Sequence, residues 1–202
     1  MYATIHRFRR WPDEESHEWA RTLLPVLPDG TEPAGACVVG RLDGMDGAVF
    51  ALWEDARDAT EAAAGSSPDG DGARWLDASA YRVVQVDPGI AAGEEPRFAQ
   101  LVWLNGAGEP DIADAALRSG RERIAPAGRD VEGVVGTYAL RADAHRMVVL
   151  PLVTAVDIPE ELRRVILATR LLPWEDPARL PDPDRIDIDR VLVAQLPSEV
   201  RS

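Results

Sequence analysis

The sequence predicts an α+β fold made of two ferredoxin-like βαββαβ repeats whose antiparallel sheets pack into a pseudo-dimeric α/β barrel. Three observations lead there. Strand-like and helix-like runs follow the order βαββαβ, the same order returns after a Pro/Gly/acid-rich stretch at 89–96, and two short matches relate the halves by one shift. The chain has 202 residues, room for two units of about 100 each. At 46% hydrophobic and 28% charged residues, it can bury a core without metals or disulfides. The expected organisation is a first repeat over 1–88, a linker over 89–96 and a second, more divergent repeat over 97–202.

In the first half, YATIHRFR (2–9) sets β-branched and aromatic residues among polar ones, which suits a strand. Pro12 and Asp13 open a helix with Glu14 and Glu15 in its first turn, where negative charge complements the helix dipole. Trp19 and Leu23 form an i, i+4 pair before Pro25 stops it. ACVVGRL (36–42) and AVFALW (48–53) read as strands joined across DGMDG, whose Asp-Gly pairs favour a tight reversal. DARDATEAAAG is an alanine-rich helix, SSPDGDG breaks it, and YRVVQVD (81–87) is the fourth strand.

The second half repeats the order. FAQLVWLN (98–105) is a strand, and 111–125 a helix with Ala113, Ala116, Leu117, Gly120 and Ile124 at spacings of three and four. EGVVGTYAL (132–140) and HRMVVLPLV (145–153) form a hairpin. Asp157 caps the next helix, with Glu160 in the capping-box position and Leu162, Val165, Ile166 and Thr169 along the inner face. A proline-rich connection leads to RVLVAQL (190–196). Tyr2 pairs with Phe98, and Val38-Val39-Gly40 with Val134-Val135-Gly136, both at a shift of 96, while Arg82-Val83 matches Arg190-Val191 at 108. The second half therefore carries about a dozen extra residues between its last helix and strand. Each such repeat leaves one sheet face bare, and packing the two faces together would bury both, an internal pseudo-dimer that leaves room for a further homodimer.

Charge and composition exclude several functions. A formal net charge of -13 repels a polyphosphate backbone, so no nucleic acid partner is expected. No run approaches the roughly 20 apolar residues of a membrane span, and the N-terminus lacks a secretory apolar core, so a cytoplasmic protein is expected. All 22 basic residues are arginine, a trait of GC-rich bacterial coding. The single cysteine, Cys37, lies in the apolar run ACVVG and reads as a buried thiol. The three histidines and one cysteine give no metal-binding spacing. GDGAR and GAGEP lack the context of a phosphate cradle, and no nucleophile elbow or Ser/His/Asp set is present.

One motif suggests a family. VFALWEDARDA (49–59) ends a strand in a Trp-Glu pair and passes at once into an alanine-bearing helix. With MYATIHRFR and YRVVQVD as first and last strands, it resembles the dimeric α/β-barrel superfamily and in particular antibiotic-biosynthesis-monooxygenase domains. The likeness covers about the first 90 residues by motif and 97–202 by element order. It implies binding of a small aromatic or polyketide-type molecule, with oxygenation independent of a cofactor as one activity, haem binding or degradation as another, and non-catalytic members as a third. Trp53 would then line a ligand pocket between sheet and helices; the plain alternative is that its indole caps the core and hydrogen-bonds through N–H. Val153 or Thr154 holds the corresponding place in the second half, which makes the first half the expected host.

Cofactor-free oxygenation needs an apolar cavity, a base and donors for the resulting anion. The candidate catalytic residues are His6, Arg7 and Trp53. Phe50, Tyr81, Arg82 and Asn105 are the candidate ligand contacts, and no metal or cofactor is expected. Strand alternation puts His6 and Arg7 on opposite faces unless a bulge intervenes. The haem-degrading members that the resemblance brings in use a first-strand asparagine and a histidine after the second helix. His6 and Arg7 stand where that asparagine would, no histidine lies between His17 and His145, and Asn105 ends a strand without such partners.

Overall fold

The computed structural model describes residues 1–10, 17–24, 30–42, 44–65, 73–104, 110–142, 146–180 and 182–197. Its eight strands hydrogen-bond in the closed order β1-β3-β2-β8-β5-β7-β6-β4, an antiparallel α+β barrel, as the repeat pattern predicts. By its contacts the chain divides into two compact units, residues 1–83 with 188–202 and residues 84–187.

The first unit holds β1 (Tyr2–Arg10), α1 (His17–Thr22), β2 (Gly35–Arg41), β3 (Asp46–Trp53), α2 (Ala56–Ala64), the greater part of β4 (Ala73–Pro88) and the end of β8 (Arg185–Gln195). Strand β3 lies between β1 and β2, so its side chains are buried almost throughout. Tyr2, Thr4, His6 and Phe8 alternate to one face with Val49, Ala51 and Trp53. Helices α1 and α2 cover that face: Trp19, Ala20 and Leu23 pack with Phe8, Val38 and Val49, while Ala59 and Ala62 pack with Ala36, Ala51 and Trp53. The Trp19–Leu23 pair is thus the core contact its spacing predicts. Asp55 caps α2 by accepting the Arg57 and Asp58 backbone N–H groups at 2.8 and 3.0 Å, which satisfies two of the orphan donors of the first turn.

The second unit holds the end of β4, β5 (Phe98–Leu104), α3 (Pro110–Ser119), a π-helical turn over Gly120–Ile124, α4 (Ala125–Arg129), β6 (Val134–Arg141), β7 (Met147–Val153), α5 (Ile158–Ala168) and the start of β8. Its central strand is β7, between β5 and β6. Leu104 and Met147 pack under α3 with Ala113 and Leu117; Val134 and Val153 pack under α5 with Ile158 and Leu162. Gly133, at a φ of 83°, turns the chain into β6 in a conformation that a side chain would resist.

Several local expectations are corrected. Strand β4 begins at Ala73 rather than 81, because a bulge at Leu76 shifts its register against β1 between Asp77 and Trp75 and hides the alternation of ARWLDASA. The helix predicted over 111–125 runs through the π turn to Arg129. Asp157 heads α5, but its side chain makes no capping bond, and Glu160 turns instead to Arg163 at 2.6 Å. The halves also align differently from the Val-Val-Gly match. Tyr2 opposes Trp53 and Phe98 opposes Val153, so the shift of 96 holds there; yet Val38 opposes Val49 while Ala139 opposes Val149, so Val38 corresponds to Ala139, not Val134.

Candidate functional site

Two of the residues singled out from sequence face the helix side of the first sheet. His6 is 3% exposed, and its ring meets Trp75 edge-on at 5.7 Å. Loss of hydration in this setting lowers its pKa from 6.5 to about 4, so the imidazole is neutral at pH 7. Trp53 is 1% exposed and donates its indole N–H to Thr4 Oγ1 at 3.1 Å. Ala36, Ala51, Ala59 and Ala62 surround it, with Tyr2, Leu24 and Ala80 at the margin. Small alanines on both sheet and helix make the space that the indole fills.

The remaining candidates lie apart from that pair. The bulge falls in β4, so β1 keeps its alternation, and Arg7 faces away from His6 to pair with Asp77 at 3.1 Å. Phe50 stands opposite Ile5 and Tyr81 opposite Ala3, on the same face as Arg7, and both are buried. Arg82, opposite Tyr2, is exposed. Asn105 lies outside the described residues.

A different set emerges in the second unit. The register makes Gln100, Val102, Val149, Thr137 and Ala139 the counterparts of Thr4, His6, Val49, Ala36 and Val38. The five first-unit residues are at most 3% exposed. All five counterparts are partly exposed, although α3 and α5 cover the strand ends on either side of them. The middle of the second sheet is thus less fully covered, on the side of its helices, than that of the first. Val153 in the place of Trp53 supplies far less volume, and Ala113, Ala116 and Gly120 on the α3 side add no large group. Pro151 forms part of the floor. It has no N–H to give a neighbour, and Gln100 and Leu101 face it between the paired residues Phe98–Ala99 and Val102–Leu104. This partly exposed strip, called the groove below, is apolar apart from the Gln100 amide and the Thr137 hydroxyl. Sequence reading missed it because each residue there is an ordinary strand residue; the one signal was the exchange of Trp53 for valine.

Other features offer less. An open depression of about 470 Å3 is lined by Glu132, Gly133, Thr154, Ala155, Asp157, Ile158, Glu160, Glu161 and Arg164. Two of its acids are paired with arginines, Glu160 with Arg163 and Glu161 with Arg164, and it opens broadly to solvent. Among the described residues no group of three or more His, Cys, Asp or Glu is placed to hold a metal ion. Haem fits these residues poorly, since no described histidine reaches the groove and His6 is enclosed in the first unit. No described helix is long and apolar enough to cross a membrane.

Comparison with solved structures places the fold. The chain is similar to a candidate monooxygenase from Fusobacterium nucleatum, with a TM-score of 0.61 at 10% identity over 96% of this chain and 94% of that one. An anthrone oxidase-like protein gives 0.53 at 12% identity, covering 96% and 92%. A candidate monooxygenase from Lactobacillus acidophilus gives 0.53 at 7%, covering 96% of each. The chain therefore has the ferredoxin-like α+β barrel fold seen in antibiotic-biosynthesis-monooxygenase-like proteins. No protein-family model and no curated protein sequence matches it.

Proposed function

We propose that the protein binds a flat, largely apolar small molecule of aromatic or polyketide type in the helix-side groove of its second unit. One observation carries this reading: five side chains that are sealed in the first unit have counterparts in the second that are only partly buried. Val102, Val149, Ala139 and Pro151 would contact ring faces, while the Gln100 amide and Thr137 hydroxyl would meet a phenol or carbonyl at the ring edge.

Cofactor-independent oxygenation is the finer reading that the resemblance suggests. It would draw on His6, Arg7 and Trp53, and the first unit gives it weak support. Burial and a pKa of about 4 make His6 a poor base for a phenol that ionises near 10. Arg7 faces the other way, so it cannot hold the anion beside His6. The geometry supports binding over proton transfer, and the tandem repeat is consistent with one half kept as a packed scaffold.

Fluorescence titration with tri- and tetracyclic phenols, and with haemin, tests the reading. Saturable binding of a phenol, and none of haemin, is expected for the parent protein and for Trp53→Phe, with phenol binding lost in Val102→Trp, which fills the groove. Loss in Trp53→Phe alone would move the ligand to the first unit. No binding of any compound by the folded parent would favour a non-catalytic structural or interaction role.

A further inference from the structure

Pro151 interrupts the ladder of the second sheet at one point. Strand β7 lies between β5 and β6, so each of its residues turns its backbone nitrogen to one neighbour or the other. On the β6 side the pairs Thr137–Pro151 and Tyr138–Leu150 are formed. On the β5 side pairing holds at Phe98–Val153 and Ala99–Leu152 and resumes at Val102–Val149, but Gln100–Pro151 and Leu101–Leu150, which continue the same register, are not formed. Those are the two pairs that an N–H running from residue 151 to the Gln100 carbonyl would close. Proline has no N–H, so this carbonyl lacks its ladder donor, and no turn or loop N–H takes the place among the described residues.

The first unit is an internal control. Thr4 and Ala51 hold the counterpart positions, and their pair is formed. A proline in a central strand gives up a bond that almost any other residue would keep, and an acceptor left without a donor calls for a reason. The carbonyl is open from one face only. Ala99, Leu101, Leu150 and Leu152, which point away from the helices, are at most 2% exposed. Gln100, Val102 and Thr137, on the helix side around the buried Pro151, are partly exposed. Because the proline ring carbon Cδ stands where the proton would be, a donor reaches the oxygen from the helix side of the sheet rather than along the ladder.

We propose that the Gln100 backbone carbonyl receives a ligand O–H, so that the second unit selects a phenol over the matching ether or quinone. This rests on the groove being the ligand site. A phenol carries the donor that the carbonyl needs, whereas an ether or quinone presents only lone pairs to it. The Gln100 amide and the Thr137 hydroxyl both donate and accept, so they serve either class, and the carbonyl supplies the discrimination. A site built to bond an O–H rejects the analogue that lacks it, since its own polar group is then left unpaired.

Calorimetric titration with phenanthrol and with its methyl ether, which share one ring frame, tests the assignment on the parent, Pro151→Ala and Gln100→Leu. The first variant restores an N–H for the Gln100 carbonyl; the second removes the side-chain amide and keeps the carbonyl. The parent is expected to bind the phenol about tenfold more tightly than the ether. Gln100→Leu should keep that ratio and Pro151→Ala should bring it near one. In the parent, the carbonyl carbon resonance of Gln100 should move with the phenol and not with the ether. A parental ratio near one, an unchanged ratio in Pro151→Ala, loss of the ratio in Gln100→Leu, or equal resonance shifts with both compounds would each overturn the carbonyl as the receptor while leaving the groove as the site. No binding of either compound by the parent would defeat the groove reading and this inference with it.

Discussion

His6 shows how a side chain chosen for chemistry can be occupied by folding. Its unfolded pKa of 6.5 falls to about 4 in the native state through loss of hydration. Between those values the unfolded chain binds more protons, so stability is full above pH 6.5, falls as pH drops, and levels off below about 4. That lowering corresponds to roughly 3 kcal/mol. Denaturant unfolding of the parent and of His6→Leu across pH 7 to 4 measures this: the variant should lose the part of the pH dependence that lies in this window, and an unchanged slope would show His6 to be hydrated. Trp53→Phe removes the donor to Thr4 and leaves a void, so a loss of about 1–3 kcal/mol is expected by the same method. The position of Trp53 at a strand end was legible in VFALWEDARDA. Its enclosure was not, because that depends on Ala36, Ala59 and Ala62 arriving from other elements.

At the level of elements, alternation and turn residues were enough to locate most strands, and they failed where pairing is irregular. The bulge at Leu76 concealed the first half of β4, and the Val-Val-Gly match misled because two similar trios fall at different sheet registers. Asp157 and Glu160 have capping-box spacing, yet Arg163 competes for Glu160 at 2.6 Å, an interaction that spacing alone does not weigh. The extra length between α5 and β8 was legible as a shift of 108 against 96; its anchoring by Glu175 was not, since Arg123 lies 52 residues away. The single change Arg123→Ala would strand a buried carboxylate and should cost about 3–5 kcal/mol in thermal or denaturant unfolding. The double variant Arg123→Met with Glu175→Leu, which leaves no lone buried charge, should cost less than this; a cost equal to the sum of its two single changes would mean that the two groups do not interact. Burial raises the Glu175 pKa, but the hydrogen bonds from the Leu172 N–H and Arg123 together with the Arg123 charge outweigh it and leave the pKa lowered. The carboxylate's contribution is thus complete above the usual carboxyl range and lost only as pH falls below it.

Across the whole chain, a repeated βαββαβ order has been given two kinds of packing. In the first unit, aromatic residues and alanines fill the helix side of the sheet; in the second, valine, threonine and glutamine at equivalent positions leave it partly open. The element order revealed the fold, and the solved structures confirm it at 7–12% identity because layer packing tolerates almost any apolar exchange of similar volume. A groove depends on volumes summed over four or five strands and helices, which a linear pattern does not display. The proposal that separates the two units is that the second hosts the ligand. Hydrogen–deuterium exchange with and without a saturating tricyclic phenol addresses it most directly. Slower exchange in 98–104, 135–141 and 147–153, with 2–10 and 46–53 unchanged, is the expected result. Protection confined to 2–10 and 46–53 would contradict the account and return the site to Trp53 and His6.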